Sequence, residues 1–84
     1  MRLRFTERAD KDYAGPQEPL RKAFIKQLGF LVDNVSHPSI NAKKYNDAEG
    51  IWQGRVNRSW RFYFLIEDDE YVILSSSRIR SDAQ

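Results

Sequence analysis

Residues 51–77 read IWQGRVNRSWRFYFLIEDDEYVILSSS, and this stretch decides the fold. It contains three segments rich in β-branched and aromatic residues, which favour extended backbone. The predicted strands are Ile51–Asn57, Trp60–Glu67 and Tyr71–Ser77. Because the polar breaks between them are short, we expect the strands to pair antiparallel as a meander.

The first half of the chain predicts a strand followed by two helices. Arg2–Phe5 alternates polar and apolar residues, as a half-buried strand does, and the hydroxyl of Thr6 can cap a short helix that ends at Gly15. A longer helix is predicted from Pro16, with apolar residues at helical spacing until Ser36–Ser39 stops it. These apolar positions are Leu20, Phe24, Leu28, Leu31 and Val35. Lys43–Tyr45 is a possible further strand.

Strand alternation separates a core from a possible binding face. Residues Trp60, Phe62, Phe64 and Ile66 share one side of their strand and are predicted to be core. Arg61 and Tyr63 point the other way, and Arg55 points away from the Trp52 side of its own strand. If helices cover only one side of the sheet, these three side chains meet on its open, concave side.

Composition limits the function classes. At 84 residues, with 40% hydrophobic residues, the chain is predicted to form a single domain over 1–84. It has no cysteine and a single histidine, His37, in a helix-ending turn, so we predict no metal and no cofactor. The absence of a long apolar run favours a cytoplasmic protein without membrane contact.

Arginines on strands remain as the candidate chemistry. RNA supplies its own nucleophile, the 2′-hydroxyl, so an RNA-cleaving protein needs cations that hold the phosphate and a group that transfers a proton. Arginine suits the first task and is a poor general base. A structural alternative is that Arg55 and Arg61 pair with Glu49, Glu67 or Glu70 across strands, and that Arg78 and Arg80 are solubilising charges on an edge strand.

The run KKYNDAEGIWQGRVNRSWRFYFLIEDDEYVILSSSRI, residues 43–79, resembles the C-terminal half of RelE/ParE superfamily toxins of type II toxin–antitoxin systems. The preceding forty residues agree in layout. The resemblance implies an α+β fold, with a strand and two helices packed on one face of a small, mainly antiparallel, curved sheet of four to five strands. In the RelE-like branch it implies metal-independent endoribonuclease activity on mRNA at the ribosome, by 2′-hydroxyl attack, with a cognate antitoxin as partner.

Carried over by position, the resemblance gives catalytic roles to Arg55, Arg61 and Arg78. Tyr63 is a further catalytic candidate because it points to the same face of its strand as Arg61. The RNA-binding candidates are Lys43, Lys44, Arg58 and Arg80. Gln53 stands where a basic or acidic residue often occurs, and Asp82 and His37 are the remaining proton-transfer candidates. Two other functions stay open: a ParE-like poison of DNA gyrase, and a catalytically weakened relative that acts with its antitoxin as a corepressor.

Overall fold

The computed structural model describes residues 2–14 and 18–78, which form two helices and a single five-stranded sheet. The elements are β1 (Arg2–Phe5), α1 (Glu7–Ala14), α2 (Glu18–Asp33), β2 (Lys43–Asn46), β3 (Ile51–Arg55), β4 (Trp60–Glu67) and β5 (Glu70–Arg78). The strand order is β1-β5-β4-β3-β2, with β1 parallel to β5 and all other neighbours antiparallel. The predicted α+β fold is therefore confirmed. No helix in the described ranges is long and apolar enough to cross a membrane.

Both helices cover the same face of the sheet. Phe24, Leu28 and Leu31 of α2 form one core cluster with Phe62 and Phe64 of β4, and Ala9 brings α1 into it. Within the cluster the Phe24 and Phe62 rings lie 5.5 Å apart. The apolar stripe predicted for the second helix is therefore the buried one. Within residues 2–14 and 18–78, the other face of the sheet carries no helix.

Thr6 caps the start of α1, as the sequence predicted. Its Oγ1 accepts a hydrogen bond from the Ala9 N–H at 3.1 Å and donates one to the Leu74 carbonyl at 2.8 Å. The cap therefore also ties α1 to β5. The predicted helix end at Gly15 and helix start at Pro16 lie outside the described residues.

A bulge in β5 determines the face of the sheet to which each following side chain points. Ile73 lies opposite Phe64 and Ser75 opposite Tyr63, so Leu74 is an additional residue in the ladder. An additional residue reverses the alternation of the strand that carries it. As a result, Arg78 lies opposite Trp60, on the helix side of the sheet.

Two predictions about the strands need correction. Ile66, predicted to be core, is 41% exposed, because the core ends at its cross-strand neighbour Tyr71 and Ile66 lies next to the β4–β5 turn. The strand predicted to reach Asn57 ends at Arg55. There the Asn57 Oδ1 accepts hydrogen bonds from the N–H groups of Ser59 and Trp60, which makes Asn57 part of the turn.

Candidate nucleic-acid interface

Two arginines lie directly opposite each other on the uncovered face of the sheet. Arg55 of β3 pairs in register with Arg61 of β4, which places their Cα atoms about 4.5 to 5.5 Å apart. Like charges in this position destabilise a sheet. An anion bound between the two guanidinium groups would relieve that repulsion, so the arrangement suits a phosphate.

Neither arginine is neutralised by a carboxylate among the described residues. Glu67 and Glu70, two of the partners considered from the sequence, both pair with Arg4 instead, at 3.5 and 2.8 Å. Glu49 takes part in no ion pair within the described ranges. Among the described residues, Arg55 and Arg61 therefore do not form the cross-strand ion pairs that the sequence allowed as an alternative.

Backbone carbonyls hold the Arg61 side chain in place. Its Nη1 donates to the carbonyl oxygens of Asn57 at 2.7 Å and of Trp60 at 3.0 Å, so the guanidinium turns toward the β3–β4 turn. Partial burial lowers the pKa of Arg61 and the neighbouring Arg55 lowers it further, whereas Tyr63 raises it. An arginine keeps its charge at neutral pH despite such a shift, so Arg61 remains a fixed cation.

An aromatic pair adjoins the two arginines. Tyr63, two residues along β4 from Arg61, shares their face and lies opposite Gln53. Its ring contacts that of Tyr45 in β2, with 4.8 Å between centroids and an interplanar angle of 53°. Tyr45 was not among the residues proposed from the sequence, and its place within the KKY segment was the signal available.

A groove with three cations lies between α2 and the β3–β4 turn. It has a volume of about 500 Å³ and is lined by Lys26, Arg55 and Arg58 together with neutral residues. Buried Gln27 fixes this wall, because its Nε2 donates to the carbonyls of Ser39 and Arg55, both at 2.8 Å. The groove thus extends the positive surface from the arginine pair to Arg58, an RNA-binding candidate from the sequence, and to Lys26, which was not among those candidates.

Arg78, which the resemblance grouped with Arg55 and Arg61, lies on the other face of the sheet from them. It lines a cleft of about 910 Å³ on the helix side, with Arg8 and Lys11 of α1 and the ring of Trp60. Asn57 lines both this cleft and the groove described above, so Arg78 is at the same end of the sheet as Arg61 but on the other face.

The remaining candidates divide between the two faces. Lys43 lies opposite Gln53 on the open face, whereas Lys44 lies opposite Trp52 on the helix side, with its Nζ 5.1 Å from the indole ring. His37 stacks on Phe30 with 4.0 Å between centroids and lines a separate pocket. Arg80 and Asp82 lie outside the described residues. In residues 2–14 and 18–78, no three His, Asp or Glu side chains are grouped so that they could hold a metal ion.

The fold is that of RelE- and YoeB-type toxins. A YoeB/ParE toxin from Agrobacterium tumefaciens superimposes with a TM-score of 0.79 at 13% identity, covering 95% of this chain and 100% of that one. YoeB from Staphylococcus aureus gives 0.77 at 18% identity, over 95% and 97% of the two chains. The E. coli RelBE toxin–antitoxin complex gives 0.75 at 17% identity, over 94% and 96%.

At the level of sequence alone, no protein-family model and no curated protein matches the chain. The likeness to these structures extends over nearly the whole length of both chains and concerns the fold. The α+β toxin fold that the sequence resemblance implied is therefore confirmed.

Proposed function

We propose that this chain is the toxin of a type II toxin–antitoxin pair and that it cleaves mRNA at the ribosome. The observation that carries the proposal is the Arg55–Arg61 pair, two cations opposite each other on the helix-free face of the sheet, with no carboxylate partner in the described part of the chain. Full-length likeness to toxin structures, several of which contain antitoxins, supports the class and the partner.

In the proposed reaction, the 2′-hydroxyl of a nucleotide attacks its own 3′-phosphate. A bond forms between the 2′-oxygen and phosphorus, the bond to the 5′-oxygen of the next nucleotide breaks, and a proton moves from the first oxygen to the second. Arg61 and Arg55 hold the phosphate oxygens, whose negative charge rises in the transition state. Tyr63 is the neighbouring hydroxyl able to donate to the leaving oxygen.

In this proposal Arg58 binds the RNA backbone on one side of the phosphate, and Lys43 contacts the RNA on the other side. Arg78 lies on the other face, so we assign it a contact with the RNA backbone beyond the end of the sheet, away from the scissile phosphate. Lys44, over the Trp52 ring, is assigned no RNA contact.

The test is expression of the chain without its antitoxin, followed by mapping of mRNA 5′ ends. We expect growth arrest and cleavage at positions in phase with codons, and we expect Arg61→Ala to restore growth while the purified variant keeps its melting temperature. Arg21→Ala, an arginine on α2 away from this site, is the matched control and stays toxic. Growth arrest with intact mRNA and damaged DNA would instead support a gyrase poison, and harmless expression would support a corepressor.

A further inference from the structure

A large aromatic ring on the open face is left mostly uncovered. Tyr45 is 61% exposed, more than any other large apolar or aromatic side chain among the described residues. It lies at a bulge, where the β2–β3 register shifts between Lys44 and Asn46. Bulges aim side chains away from the regular pleat, and here the aimed side chain is a largely exposed ring.

The ring of Tyr63 packs beside the ring of Tyr45 and leaves most of it exposed. Half-buried Tyr63 contacts it at 4.8 Å and restricts its movement. Lys43, Gln53, Tyr63 and Ser75 form one row across the open face, directly opposite one another from strand to strand. Tyr45 lies two residues along β2 from Lys43, in the row beyond this one, and its ring reaches that of Tyr63.

The arginine pair forms the next row along the strands. Arg55 and Arg61 are each two residues from Gln53 and Tyr63, which is about 7 Å along the strand. Tyr45 lies beyond Gln53 and Tyr63 as seen from the arginines, so a phosphate on the arginines places the attached nucleoside beside Tyr63 and the next nucleotide of the RNA near Tyr45. Single-stranded RNA commonly splays its bases onto aromatic side chains in this way.

We propose that Tyr45 is a base-stacking residue, and that the nucleobase one nucleotide beyond the phosphate held by Arg55 and Arg61 lies on its exposed side. Gln53 and Lys43 supply hydrogen bonds to the edge of that base. This subsite rests on the proposed function, since it takes single-stranded RNA as the substrate class. It would make the base one nucleotide away from the cleaved bond a determinant of where the chain cuts.

The experiment titrates a short 2′-O-methyl RNA that carries 2-aminopurine, a base whose fluorescence is quenched by stacking. The methyl group blocks the attacking oxygen, so binding is measured without cleavage. We expect the wild type and Tyr45→Phe to bind and quench alike. Tyr45→Leu keeps apolar bulk but no aromatic ring, and we expect it to lose the quenching and to bind roughly 5- to 150-fold more weakly. Ile25→Ala, which alters an exposed apolar residue of α2, is the control.

Tyr45→Leu that binds and quenches like the wild type, at an unchanged melting temperature, overturns the proposal. If Tyr45→Leu has no effect but Arg61→Ala still weakens binding in the same titration, the proposed phosphate site at Arg55 and Arg61 is retained and only the stacking subsite is rejected. Absence of RNA binding by the wild type removes both the stacking subsite and the cleavage proposal. Quenching at Tyr45 without any mRNA cleavage on ribosomes retains the subsite and removes the enzyme.

Discussion

The arginines at the two ends of the sheet differ in whether they pair with carboxylates. At one end, which we call the acidic end, Arg2 and Arg4 of β1 face the carboxylates of the β4–β5 turn, Glu67–Glu70. Arg4 is bound to Glu70 at 2.8 Å, and this hydrogen bond raises the pKa of Arg4. At the other end, the basic end, Arg55, Arg58 and Arg61 have no carboxylate partner among the described residues.

The difference indicates which charges are structural and which are available to a ligand. Arginines of the acidic end hold β1 beside the turn and are already neutralised. Those of the basic end repel each other unless an anion binds. The roughly 24 Å length of β4 separates the two ends, so the acidic turn neither pairs with nor strongly screens the basic end.

The largest expected effect is on catalysis. Arg61→Ala should lower the rate of cleavage of ribosome-bound mRNA by about 10²- to 10³-fold, since it removes a cation that acts on the transition state. Arg4→Ala is the counterpart at the acidic end and should leave the rate unchanged. Single-turnover kinetics with both variants measure the cleavage rate. Equal losses of rate in the two variants would mean that the two ends do not differ in function.

A second variant loosens the wall that carries Arg55. Gln27→Leu leaves the carbonyls of Ser39 and Arg55 without their donor and should lower the free energy of unfolding by about 1–3 kcal/mol. Urea denaturation measures this loss, and Gln53→Leu on the open face serves as the control with little change. A stable Gln27→Leu variant would show that the wall is held in place by other contacts.

A third variant makes the basic end resemble the acidic one. Ser77 lies opposite Arg61 and is exposed, so Ser77→Glu places a carboxylate next to the guanidinium. RNA affinity should fall about tenfold while the melting temperature stays level or rises, because a cross-strand ion pair forms. Ser77→Gln, equal in size and uncharged, should bind RNA like the wild type. If both variants lose the same affinity, the effect is steric.

The smallest expected effect concerns the groove beyond the arginine pair. Lys26→Ala should reduce the slope of log affinity against log salt by about 0.7, the value for one phosphate contact on a single strand. Lys22 is another lysine of α2, paired with Glu18 at 3.7 Å, and Lys22→Ala should leave the slope unchanged. An identical slope for the wild type and both variants would place the RNA outside this groove.

Local patterns in the sequence were enough to predict the fold and part of the site. Alternation along β3 and β4 correctly placed Arg55, Arg61 and Tyr63 on one face, because side chains in a regular strand point to opposite sides in turn. Helical spacing likewise identified Phe24, Leu28 and Leu31 as buried.

The position of Arg78 could not be read in the same way. Without the bulge at Leu74, β5 would present Arg78 on the open face with Arg61. The segment that follows the bulge is Ser75–Ser77, three identical residues with no polar–apolar alternation to reveal the shift. The contact between Tyr45 and Tyr63 was equally hidden, since it joins two strands that are not neighbours in the sheet.

The parallel pairing of β1 with β5 has a consequence for the newly made protein. β1 and α1 are synthesised first, yet the strand on which both rest is β5, which follows every other element. During translation the N-terminal segment therefore has no sheet to join until β5 has left the exit tunnel, and pairing over such a separation is slow. Assembly of the arginine pair within a finished sheet is accordingly postponed until β5 is free to pair.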